Sequence, residues 1–364
     1  MRCKDELLRF LRGKPKEIKA VVMPDFFLDR LIDLDYAPAR FCSEVDAIAR
    51  RKGGSIDGIN QTDIRGGNAV NTASALAALG VRVTPIVCTD KLGLQQLRFH
   101  LNRYRVDTSH VKVWGKASLT TALELKTNNG KANVMLRDLG SLADFGPENL
   151  TEDDYRLIEE ADYVCVFNWA GTRNRGTELA QTVFNRTKAR GKGKTYFDSA
   201  DPTPNKDGIP ELMEKVLKTT KVDILSLNEN EAITYRRQLD ADAVAEKRKI
   251  GFSEQALESA RVLAKRLPTR IDLHTTSFSA TFTKKSEVVV PAFNIKPLRA
   301  TGAGDAWNAG NIFADGNALS GECRLVWANA VSACYLSNPE GIHPTRQMLA
   351  KFIENSNCEP SSLV

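Results

Sequence analysis

Apolar positions recur at helical spacing in some stretches of this chain and gather into short unbroken runs in others, and the order of the two patterns is the first clue to its architecture. Leu7, Leu8 and Leu11 mark an amphipathic helix over residues 5–17, which Gly13 and Pro15 bring to an end. The run 18–23 is too short for a helix and suits a buried strand. Residues 31–65 show no clean period apart from a helix over 41–51 that breaks at Gly53 and Gly54. A strand over 81–88 and a helix over 92–104 come next, and then two runs, 119–126 and 132–137, joined by Asn128-Asn129-Gly130-Lys131, a strong hairpin signal. From residue 151 the pattern settles into helix 151–160, strand 162–167, helix 175–190, strand 194–198, helix 209–219 and strand 221–226. Such alternation predicts parallel strands with helices covering both faces.

The chain's 364 residues can enclose a sizeable core as one large α/β domain with an appendage or as two domains. No apolar run is long enough to span a bilayer. Met1 to Glu6 carries acids and lacks the apolar core of a signal peptide, so a cytoplasmic protein is expected. The seven cysteines are scattered and form no Cys-x-x-Cys pair, which disfavours a metal cluster or disulfide framework. Net charge is +6, but the basic residues are interleaved with 45 acids and form no block of the kind that binds nucleic acid. Weak attraction to small anions is the inference that charge supports.

Candidate chemistry concentrates at 299–311, Arg-Ala-Thr-Gly-Ala-Gly-Asp-Ala-Trp-Asn-Ala-Gly-Asn. Gly302 and Gly304 let successive N–H groups converge on an anion, and a helix starting near Asp305 turns its positive end to the same point. A carboxylate there would repel phosphate, yet it suits a base acting on a hydroxyl-bearing second substrate. The alternative is an ordinary loop with Asp305 as helix cap. A second glycine turn, Gly66-Gly67, leads into Asn68, Asn71 and an alanine-rich helix ending at Gly80. Asn68 and Asn71 lie three apart and share a face; their amides can hold hydroxyl groups, or Asn68 is simply an N-cap. Asp25 and Asp29 follow the strand 18–23 where open α/β sheets bind ligands, and a capping role is equally open. Asn228 and Glu231 follow strand 221–226, where Glu231 can hold hydrated magnesium or serve as a first-turn helix acid.

Thr301-Gly302-Ala303-Gly304-Asp305-Ala306 with Asn308 and Gly310 resembles the C-terminal signature of the ribokinase-like (pfkB) carbohydrate kinases, and Gly66-Gly67-Asn68-x-x-Asn71 resembles their N-terminal one. The resemblance covers nearly the whole chain. It implies a three-layer α/β/α sandwich with a mostly parallel central sheet and a small β-sheet lid from parts of about 27–65 and 104–140. It also implies that Asp305 is the base beside an anion hole at Gly302, Ala303 and Gly304. Asp25, Asp29, Gly66, Gly67, Asn68 and Asn71 are then acceptor ligands. Asn228, Thr276, Ser277, Ser279 and Asn329 would serve the nucleotide, with Glu231 on magnesium through water. Helices at about 305–315, 321–337 and 345–355 fit the family's ending.

Three departures from the family pattern stand out. Pro24 replaces a glycine; the stretch 274–280 carries Thr276 and Ser279 where the family has glycines; and Arg299 stands where many members place an aspartate that binds a monovalent cation. The last disfavours potassium activation. The expected protein is therefore a phosphotransferase moving the terminal phosphoryl group of a magnesium nucleotide, ATP or else ADP, to a sugar or nucleoside hydroxyl, with a homodimer through the lid as one possible assembly. The alternative is a non-catalytic sugar or nucleotide sensor on the same fold.

Overall fold

The computed structural model describes residues 2–104, 106–127, 130–239, 251–299 and 301–355. In chain order its strands are β1 (Lys19–Met23), β2 (Phe27–Leu34), β3 (Asn60–Gly66), β4 (Arg82–Pro85), β5 (Cys88–Thr89), β6 (Lys112–Val113) and β7 (Ser118–Thr127). They continue with β8 (Gly130–Asp138), β9 (Tyr163–Phe167), β10 (Lys194–Asp198), β11 (Ile224–Leu227), β12 (Arg270–His274), β13 (Phe278–Phe282) and β14 (Glu287–Pro291). The main sheet runs in the order β14-β13-β12-β11-β10-β9-β1-β4, parallel from β4 to β12 and antiparallel at its β13 and β14 edge.

The short apolar runs form this sheet because both of its faces are covered. Val21 and Met23 of β1 join Val164 and Val166 of β9 in one hydrophobic core, while Ala20, Val22, Cys165 and Phe167 enter the other. Helices on each side close the two outer layers, giving the three-layer sandwich.

Only three residues separate β1 from β2, so the chain passes from the rim of the main sheet directly into a second, four-stranded sheet ordered β3-β2-β7-β8. Asp25 lies in that junction and Asp29 lies on β2. Strands β7 and β8 pair antiparallel with Thr127 opposite Gly130, and the turn residues Asn128 and Asn129 lie outside the described residues.

Some elements differ from the sequence reading. The strand expected over 81–88 divides: β4 ends at Pro85, and Cys88–Thr89 pairs with β6 instead. The last bond to β1 runs from Ile86 N to Val22 O at 2.9 Å, after which Val87 O accepts from Lys112 N at 2.7 Å and the chain turns to β6. The helix expected over 209–219 is Ile209–Leu212 followed by a π-turn over Met213–Leu217. The helix expected at 41–51 begins earlier, with Pro38 in its first turn, and buries none of its residues.

The helix Ala303–Gly316 packs against both Asn68–Leu79 and Gly321–Leu336. A buried polar network fixes it on the sheet. Asp272 of β12 receives the Arg270 and Arg324 guanidinium groups at 2.9 and 3.0 Å and the Asn311 amide at 2.9 Å. Burial alone would raise the Asp272 pKa; the two arginines overcome it and hold the carboxyl well below its usual range. The helix that carries Asp305 is thus pinned from beneath by charge-assisted bonds.

Candidate active site

Gly302 initiates this helix at φ 81°, a left-handed conformation in which a β-carbon would also meet the Tyr335 hydroxyl at 2.7 Å. No side chain caps the helix, and its first N–H groups, those of Ala303, Gly304 and Asp305, have no intrahelical acceptor. Asp305 is not the cap. It lies within the first turn, 6% exposed, with its side chain turned to a different helix.

That helix is Asn68–Leu79. Its N-cap is Gly67, held at φ 94°, so the capping role open to Asn68 in the sequence is taken by glycine. Asn68 Nδ2 donates to Asp305 Oδ1 at 2.8 Å and Asn71 Nδ2 donates to Oδ2 at 2.9 Å. The two amides expected to hold an acceptor therefore grip the candidate base in this structure. Burial raises the Asp305 pKa to about 8; the Asn71 bond opposes it, Asp198 and Asp25 add repulsion, and the Asn68 bond opposes them.

Asp25 caps the same helix from outside, accepting from Asn68 N and Ala69 N at 2.8 Å each and from Asn168 Nδ2 at 2.8 Å. Burial raises its pKa against these three bonds. Asp29 differs. Its Oδ1 is buried without a hydrogen-bond partner, and burial lifts its pKa to about 6 against the Thr120 bond and the Arg137 charge. Arg137 lies over the Phe27 ring at 5.0 Å, and its charge is felt at both Asp25 and Asp29. Arg137 is thus an exposed residue whose charge lies beside the acidic pair.

A family model described as pfkB family carbohydrate kinase matches residues 41–348. The chain belongs to the pfkB carbohydrate kinase family. No curated protein matches it at the level of sequence. Among solved structures it is similar to a ribokinase from Arabidopsis thaliana complexed with ribose and ATP, at 16% identity over 94% of this chain and 100% of that one, with a TM-score of 0.69. A nucleoside kinase from Methanocaldococcus jannaschii, called an archaeal member of the ribokinase family, gives 16% identity, 94% and 100% coverage and a TM-score of 0.66. An adenosine kinase from Sinorhizobium meliloti gives 16% identity, 93% and 98% coverage and a TM-score of 0.67. At these identities the likeness establishes the fold, which is ribokinase-like as expected.

The residues of this kinase singled out for the nucleotide divide into two groups. Asn228 and Glu231 form a reciprocal cap at the start of the helix Glu229–Leu239: Asn228 N and Nδ2 donate to the Glu231 carboxylate at 2.9 and 2.7 Å, and Glu231 N donates back to Asn228 Oδ1 at 3.0 Å. Glu231 is buried, and that burial, with repulsion from Asp198, raises its pKa well above the usual range. Thr276 N donates to Glu229 Oε1 at 3.2 Å, which brings the 275–278 turn beside this cap. Thr276 and Ser277 are exposed on that turn, whereas Ser279 is buried in β13. Asn329 is engaged at both ends, accepting from Trp307 Nε1 at 2.9 Å and donating to Pro291 O at 3.0 Å. His274 packs on Trp307 with ring centroids 5.0 Å apart and lies against Gly304; burial lowers its pKa to about 4 and keeps it neutral. Trp169 is buried and donates to Thr177 Oγ1, so it is a core residue.

Arg299 donates to the main-chain carbonyls of Asn338 and Pro339 at 3.2 and 3.0 Å, while its guanidinium carbon lies 5.3 Å from the Tyr335 ring centre. Three participants were not legible in the sequence. Asn168, at φ 48°, bridges to Asp25. Asp198 accepts from Asn308 Nδ2 at 2.7 Å and repels Asp305 electrostatically. Arg65 donates to Asn71 Oδ1 at 3.1 Å. The position of Asp198 at the C-terminal end of β10 was an available signal. Nothing in the sequence pairs Arg65 with Asn71.

Proposed function

We propose that this kinase transfers the terminal phosphoryl group of a nucleotide, ATP in the simplest case, to a hydroxyl of a sugar or nucleoside, with Asp305 as the base. The observation that carries the reading is the meeting of Asp305 with three uncapped N–H groups at one helix start and with Asn68 and Asn71 from the other motif. The transferring group, when seated at Gly302–Asp305, gains charge stabilisation from the N–H groups of Ala303, Gly304 and Asp305. Asp305 takes the hydroxyl proton, and its site favours this because burial makes the carboxylate strongly basic. Asp29, with an unpaired buried oxygen, is the acceptor-side carboxylate best placed to receive a sugar hydroxyl.

Burial raises the proton affinity of both Asp198 and Glu231, and repulsion from Asp198 raises that of Glu231 further, a repulsion that a divalent cation relieves. Magnesium on the nucleotide would be held there through water by Glu231 and Asp198 and would neutralise phosphate charge. Thr276 and Ser277, exposed beside the Asn228–Glu231 cap, supply hydroxyls on the nucleotide side.

The deciding experiment is a coupled assay of nucleotide consumption across sugars, sugar phosphates and nucleosides, with ATP and with ADP as donor. Turnover with one acceptor, reduced at least about a hundredfold by Asp305→Asn in a folded protein, is expected. Near-normal turnover in that variant refutes Asp305 as base. Ligand binding without turnover by any acceptor would favour the sensor reading instead.

A further inference from the structure

Arg65, which donates to Asn71, also lines a cavity of about 340 Å³ whose wall carries Arg103, Arg299, His100, Tyr104 and Tyr335 as well. Its charge is not balanced from within. None of the three arginines forms an ion pair among the described residues. Two acids also line the space. Asp63 is already paired by a bidentate bond from Arg30 at 2.6 and 2.9 Å, which leaves the exposed Glu340 as the other lining acid. Guanidinium groups converge in this way where planar, multi-donor recognition of an oxyanion is needed, and the two tyrosine hydroxyls add donors.

The cavity also shares its wall with the catalytic loop. The Tyr335 hydroxyl lies against Gly302, and the Tyr335 ring is sandwiched between Arg299 and the imidazole of His343, which stacks at 4.5 Å and 13°. Arg65 joins His343 Nε2 at 3.2 Å on one side and Asn71 Oδ1 at 3.1 Å on the other, and Asn71 in turn holds Asp305. Burial lowers the pKa of His343, and Arg65 and Arg299 lower it further, so this imidazole is neutral and the local excess of positive charge remains on the arginines.

We propose that this cavity is a binding site for a phosphate group, carried by the acceptor or free in solution, and that its occupancy is transmitted to Asp305 through Arg65 and Asn71. A tetrahedral dianion matches donors arriving from three sides better than a planar carboxylate does, and the volume admits it with part of a sugar. The transmission rests on the kinase reading above; the binding does not.

The test uses the full chain and inorganic phosphate, titrated by calorimetry and by phosphorus line width, in the wild type, Arg103→Gln and the Arg103→Gln/Arg299→Gln double variant. Arg103 is exposed beyond its helix, so its single variant keeps the comparison interpretable if the double variant misfolds. Saturable binding is expected, weakened about threefold or more in the single and at least tenfold in the double variant. Absence of saturable binding, or binding equal in all three proteins, overturns the proposal; the latter places the ion at the Gly302–Asp305 helix start. Kinetics then separate the sources. Competition between inorganic phosphate and a phosphorylated acceptor, whose KM rises at least tenfold in Arg103→Gln, identifies the acceptor's own phosphate. A change in kcat with an uncharged acceptor, without competition, identifies a free anion. If no acceptor turns over but phosphate binding still depends on the arginines, the site stands and the kinase reading falls.

Discussion

The amide of Asn71 donates to the carboxylate of Asp305 at 2.9 Å across 234 positions of sequence. This bond and its Asn68 counterpart join the two glycine-led motifs into one site, and they set the proton affinity of the candidate base. Asn71 offsets the effect of burial more strongly than Asn68 does.

Asn71→Ala removes the larger of the two opposing bonds, so the Asp305 pKa is expected to rise above about 8 and the rising limb of kcat/KM against pH to move to higher pH. Asn68→Ala should move it less. The loss of a buried hydrogen-bond partner also costs about 1–3 kcal/mol of stability, measurable by denaturant unfolding. An unshifted pH profile in Asn71→Ala refutes the tuning role.

The raised pKa of Asp305 also predicts how stability responds to pH. In the unfolded chain the carboxyl ionises near its ordinary value of 3.8, while in the folded chain it keeps its proton to about 8. Below pH 4 both states are protonated and the group costs nothing. As pH rises towards 8 the unfolded state alone is ionised, so folding loses free energy, and above 8 the loss levels off. Relative to Asp305→Asn, the wild type should lose a few kcal/mol, in order of magnitude, between pH 4 and 8. Parallel stability profiles for the two proteins would contradict the burial assigned to this carboxyl.

Arg299 already gives its hydrogen bonds to the carbonyls of Asn338 and Pro339 and brings a fixed positive charge to that loop. A monovalent cation gains nothing where a guanidinium occupies the carbonyl oxygens. Turnover in potassium, sodium or tetramethylammonium salts at equal ionic strength is expected to agree within twofold. Stimulation of fivefold or more by potassium alone would show that the guanidinium does not fill that role.

Strands β1 and β9 of the main sheet were legible because they are buried on both faces and therefore read as short apolar runs, while β10 and β11 were legible from their regular alternation with helices. The glycine turns at Gly67 and Gly302 were legible because left-handed backbone leaves few residue types to choose from. Local sequence could not say which hydrogen-bond partners the site residues choose. Asn68 had a capping role open to it and instead bonds Asp305; of the two roles open to Asp25, the structure shows the cap, on the helix that carries Asn68.

By itself the sequence determined the layered α/β architecture, the two glycine-led motifs and the single carboxylate after the second of them, since periodicity and backbone freedom are properties of adjacent residues. Only the tertiary structure decided that Asp305 is gripped by Asn68 and Asn71, that Asp29 keeps an unpaired oxygen, and that Arg65, Arg103 and Arg299 from three separated segments face one cavity. Hydrogen bonds and charge act through space at a few ångströms, and the distances that govern them are fixed when the sheet brings the strand ends together, whatever the separation along the chain.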